Sequence, residues 1–71
     1  MKMEFVQREL QAWGEILITT SGGQHLELHI GDTEFDTENR VIRLKSSNAL
    51  FVIDGDSVEM IQKHYGHLDD D

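Results

Sequence analysis

With 71 residues, no cysteine and a formal net charge of -8, the chain reads as one small domain with neither disulfides nor thiolate metal sites to reinforce it. A domain of this size hides only about 60% of the surface its unfolded chain exposes, so thin stability is expected. The acidic balance excludes holding DNA or RNA by phosphate neutralisation, which needs clustered lysine and arginine, and no stretch approaches the roughly 20 apolar residues of a bilayer-crossing helix.

Lys2, Glu4, Arg8 and Glu9 interrupt the apolar residues of the first segment, unlike the apolar centre of a secretory signal, so the expected setting is the cytoplasm with no membrane partner. Within that segment, Met3, Val6, Leu10 and Trp13 recur at spacings of three, four and three. The spacing predicts a helix over residues 2–13, widened on its apolar side by Phe5 and ended at Gly14. Trp13 closes the stripe and is expected in the core.

Ile16 and Ile18, then Leu26, Leu28 and Ile30, alternate with polar neighbours on either side of Ser21, Gly22 and Gly23, a hairpin pattern with the aliphatic residues facing inward. Gly31 and Asp32 turn the chain into a second hairpin. Its loop, whether two residues or four, places Asp36 opposite Val41, Phe35 opposite Ile42, Glu34 opposite Arg43, Thr33 opposite Leu44 and Asp32 opposite Lys45. Phe35, Ile42 and Leu44 then share the buried face, acids meet bases on the outer one, and Arg40 is left free.

The run from Ala49 to Ile53 is the densest apolar stretch and predicts a strand in the middle of a sheet. Asp56 with Glu59 three residues on, followed by Val58, Ile61 and Tyr65, predicts a capped C-terminal helix stopped by Gly66. Residues 67–71 form a short acidic tail. The expected fold is α+β: a small antiparallel meander of about five strands with an N-terminal and a C-terminal helix, all in one domain.

The charges are unevenly placed, for no lysine or arginine lies between Arg8 and Arg40, while Glu27, Asp32, Glu34, Asp36 and Glu38 all fall in that gap. The last four occupy every second position, which on an extended strand would line them along one edge at roughly 6.5–7 Å intervals. That row is the candidate partner-binding site, and its bland alternative is cross-strand pairing with Arg43 and Lys45.

Asp32, Glu34 and Asp36 copy the first ligand positions of a calcium-binding EF-hand loop, but Thr37 stands where the glycine is needed and Arg43 where the bidentate glutamate belongs. Asp54, Gly55, Asp56 and Glu59 also resemble a metal loop, and helix capping accounts for them without an ion. His25 and His29 share a strand face about 13 Å apart, too far to grip one ion without a ligand from a neighbouring strand. His64 and His67 are separated by Gly66. No metal and no cofactor are expected.

There is no glycine-rich phosphate loop, no nucleophile elbow and no cysteine nucleophile, and so small a chain rarely encloses the dry cleft that paired catalytic carboxylates need. The expectation is a non-enzymatic interaction module whose acidic row docks onto the basic surface of a protein partner. Its profile, though not its sequence, resembles that of small acidic inhibitors of nucleic-acid-binding proteins carried by phages or mobile elements. The alternatives are a structural module that forms homo-oligomers through a strand edge, and a weak binder of divalent cations.

Overall fold

The computed structural model describes residues 1–65, so Gly66 and the acidic tail at 67–71 lie outside the described residues. It is an α+β fold. Helix α1 (Met3–Trp13) is followed by strands β1 (Glu15–Thr20), β2 (His25–His29), β3 (Thr33–Asp36), β4 (Val41–Lys45), β5 (Leu50–Asp54) and β6 (Val58–Gln62). These six strands form two three-stranded antiparallel sheets, ordered β2-β1-β6 and β3-β4-β5, in place of one meander of about five. A 3-10 turn at Ile30–Asp32 carries the chain between the sheets.

An isolated helix of 11 residues is marginal in water, so α1 depends on what its apolar stripe meets. Met3, Val6 and Leu10 are fully buried, and Val6 and Leu10 join Ile16, Ile18, Leu28, Leu44 and Val58 in the core cluster. Gly14, at a φ of 97°, ends the helix where a side chain would be strained, and its amide returns to the Leu10 carbonyl at 2.7 Å. Phe5 does not widen the buried stripe; it is exposed, with Arg8 above its ring. Trp13 is half-buried against the cluster beneath the Lys63 ammonium.

Both hairpins form as the alternation predicts. In the second, the register pairs Asp36 with Val41, Phe35 with Ile42, Glu34 with Arg43 and Thr33 with Leu44. It stops there: Asp32 belongs to the 3-10 turn and does not pair with Lys45. The same turn lifts Ile30 out of the alternation of β2, leaving it exposed where an inward position was expected.

Two expectations fail in the last third of the chain. Residues 56–65 contain no helix, and the segment returns along β1 as β6. The cause is a bulge: Thr20 pairs with Val58 and Thr19 with Met60, so Glu59 is an extra residue. Val58 and Ile61 consequently face the same side although they stand three apart, a spacing that imitates a helix. The other failure is β5, which is an edge strand with Leu50, Phe51 and Val52 exposed, not a central one.

Asp56 does cap a helix, but one at the far end of the chain. Its Oδ1 accepts from the Met3 amide at 3.0 Å, satisfying a first-turn donor of α1. Arg40, at a left-handed φ of 60°, is far from free. Its guanidinium donates to both Asp56 oxygens at 2.7 and 3.1 Å and to both Glu4 oxygens at 2.5 and 3.0 Å, joining the second hairpin, the β5–β6 turn and α1.

This clamp predicts an acid dependence. Hydrogen bonds from Arg40, then its own backbone, hold the Glu4 carboxyl at about 2 against an ordinary 4.5. Asp56 is lowered by Arg40 and by the Met3 amide. A carboxyl depressed by folding contributes stability that is complete above its unfolded value and disappears as pH falls toward its folded one. Melting followed by circular dichroism is expected to show the midpoint falling from pH 4.5 toward 2, with a shallower fall in Glu4→Gln. Parallel curves for variant and parent would exclude Glu4 as a source of the acid sensitivity.

Candidate functional site

The five carboxylates expected to bind a partner do not form one row, because only Glu34 and Asp36 lie on extended strand β3. Asp32 is in the 3-10 turn, Glu38 is in the 37–40 loop, and Glu27 is on β2. The period of two is interrupted at both ends by chain reversal.

Asp36 is a structural residue. Its Oδ1 accepts from the Glu38 and Asn39 amides at 3.1 and 2.9 Å, and its Oδ2 from the Asn39 side chain at 2.9 Å and Arg43 at 2.8 Å. An aspartate bonding the amides two and three residues on is what shapes this loop. Asn39, through its backbone and then its side chain, with Arg43 added, holds the Asp36 carboxyl far below the usual carboxylate range. Asp36 therefore presents Glu38 rather than presenting itself.

The remaining acids are open. Glu27, Asp32 and Glu34 keep side-chain exposures of 50, 55 and 70%. Glu34 has the edge of Arg43 at 3.7 Å, while Glu27 and Asp32 lie near His29. Three of the cations are engaged mainly with other acids: Arg40 with Glu4 and Asp56, Arg43 most closely with Asp36, and Lys63 with Glu9. An open hollow of about 290 Å³ lies beside Asp32 and Glu34, and Arg43, Lys45 and Leu50 also line it.

A second grouping, which sequence reasoning only grazed, surrounds His29. Strand pairing sets Glu15 directly opposite His29, and Glu27 precedes His29 by two residues on the same face. The imidazole Nε2 is 3.7 Å from Glu15 Oε2 and 3.5 Å from Glu27 Oε2, and Nδ1 is 3.9 Å from Asp32 Oδ2. His25, one full strand length away, instead meets the Thr19 hydroxyl at 3.1 Å. The neighbouring strand thus supplies the ligand-type partner that two histidines on one strand lack, and only the β1–β2 register reveals it.

The other metal-like fragment is otherwise occupied. Asp56 is engaged by Arg40 and Met3, and Asp54 Oδ1 accepts the Asp56 amide at 3.0 Å. Among the described residues, no helix is long and apolar enough to cross a membrane. Comparisons with protein-family models, with curated proteins and with solved structures yield no match to this chain.

Proposed function

We propose that the chain is a small acidic interaction module that docks onto the basic surface of a protein partner. Glu27, Asp32, Glu34 and Glu38 are its contact carboxylates, and Asp36 holds the loop that carries the last of them. The observation that supports this reading is the separation of charge: Arg40 is held by Glu4 and Asp56 and Arg43 most closely by Asp36, and Glu27, Asp32 and Glu34 stay at least half exposed. Exposed like charges on a small rigid body raise the rate and selectivity of encounter with an oppositely charged groove. In its sharpest form the partner is a nucleic-acid-binding protein, and the module inhibits it by occupying the groove meant for phosphates.

The test is capture from the native host's lysate on the immobilised full chain, read by mass spectrometry at low and high salt. Proteins with basic grooves are expected at low ionic strength and should be lost as screening shortens to about 8 Å. Glu34→Lys combined with Glu38→Lys should abolish capture; both side chains are exposed and neither shapes the loop, unlike Asp36. Retention of the same partner by this double variant would remove the acidic face from consideration.

A second reading, self-association with another copy of the chain, is favoured by β5. This edge strand exposes Leu50, Phe51 and Val52 and carries no charge before Asp54, so it is where two copies of a chain of net charge -8 repel least. Antiparallel pairing about Val52 would set Phe51 opposite Ile53 of the second copy and Asp54 opposite Leu50, with no like charges facing. In the same experiments this reading expects a dimer by light scattering that persists at high salt, survives the double lysine variant and dissociates in Val52→Lys. A monomer at high protein concentration would eliminate it.

A further inference from the structure

We propose that Glu15, Glu27 and His29 form a binding site for a divalent transition-metal ion of the zinc class, with Asp32 orienting the imidazole from behind. The proposal goes beyond the docking reading; it shares Glu27 and Asp32 with that reading and does not use Glu34 or Glu38. Its three donor atoms, one nitrogen and two carboxylate oxygens, all lie within 4.8 Å of one another.

The spacing argues for an ion between them. At 3.5 and 3.7 Å, the Nε2 to oxygen separations are too long for hydrogen bonds, which for N–H to O run about 2.7–3.2 Å. Two ligands bound at about 2.1 Å in tetrahedral geometry sit about 3.4 Å apart, so the observed gaps are close to those that a shared ion spans.

The imidazole is also set up on its other side. With Nε2 on the metal, Nδ1 would carry the proton, and it lies 3.9 Å from Asp32 Oδ2, so a small inward movement of Asp32 would complete a carboxylate–histidine–metal arrangement. A nitrogen donor disfavours calcium and magnesium, which take oxygen ligands, and favours zinc, cobalt or nickel. Three protein donors leave further positions for water. Backbone placement is rigid, for Glu15 and His29 are paired across the β1–β2 ladder and Glu27 is on the same strand as His29.

The experiment is calorimetric titration of the full chain with zinc, paralleled by cobalt absorption, which reports nitrogen and oxygen ligation directly. One equivalent is expected to bind, resistant to excess magnesium. His29→Ala and Glu27→Gln should each weaken the affinity at least about tenfold, and Asp32→Asn by a similar factor without changing stoichiometry. His25→Ala, on the same strand and away from the site, should bind as the parent does. Circular dichroism establishes that each variant is folded. Equal affinity in His29→Ala and the parent, an equal loss in His25→Ala, or no zinc binding by the parent would overturn the proposal.

Discussion

Ile18→Ala is expected to remove a large share of the total stability. Ile18 is on the central strand of its sheet, paired with Leu26 on one side and Ile61 on the other, and it is buried in the cluster that includes Val6 and Leu10 of α1. Truncating such a residue costs about 2–5 kcal/mol, the transfer of the lost methylenes plus the cavity left behind. A domain of this length has roughly 4–11 kcal/mol in all, at roughly 0.05–0.15 kcal/mol per residue. The loss should lower the melting midpoint by at least about 8 °C and bring the denaturant midpoint down in proportion. Met60→Ala, on the exposed side of β6, is the control and should stay within about 0.5 kcal/mol. An Ile18→Ala loss no larger than that of the control would mean that α1 does not cover this sheet.

The second large effect is expected at Gly55, in the turn between β5 and β6. A Cβ there would lie 2.1 Å from Met3 Sδ and 3.0 Å from the Arg40 carbonyl oxygen. Met3 is fully buried, and the Arg40 carbonyl accepts from the Gly55 amide at 2.8 Å. Gly55→Ala should therefore destabilise by about 1–3 kcal/mol, the usual cost of overpacking. A cycle with Met3→Ala separates the causes. If the side-chain clash dominates, the penalty of Gly55→Ala shrinks by more than about 0.5 kcal/mol when Met3 is already truncated, a coupling expected only of touching residues. An unchanged penalty would assign the cost to the Arg40 carbonyl.

What could be read in the chain was whatever depends on neighbours in sequence. The α1 stripe ending at Gly14 and the register of the second hairpin are local patterns, and the structure has both. The C-terminal helix was misread because the bulge at Glu59 shifts Val58 and Ile61 to a spacing of three, which periodicity cannot distinguish from a helical turn. β5 was misplaced because an apolar run indicates burial only when something covers it, and no described strand pairs with its outer edge. Arg40 has Glu38 and Asp36 close by in sequence, but the partners that define its role are 16 and 36 residues away.

The same division applies to the candidate sites. Glu34 and Asp36 were legible as neighbours on one strand, but not that Asp36 would be drawn into shaping the loop. His29 and Glu27 were visible together, whereas Glu15 joins them only through the pairing of β1 with β2. A signal existed in the alternation around the first turn, since any register that buries Ile16 and Ile18 against Leu26 and Leu28 brings Glu15 near position 29.

The capping of α1 by Asp56 and the pairing of β1 with β6 have a consequence for how the protein is born. The first helix receives its terminal acceptor from 53 positions away, and the first sheet its third strand from a stretch that begins at Val58, opposite Thr20. The two hairpins can close early and offer α1 part of its core in Ile16, Ile18 and Leu28, but the Asp56 acceptor and Val58 of β6 are added only later. The native state is therefore complete only once β6 is present, and a chain cut before that strand has an unfinished interior.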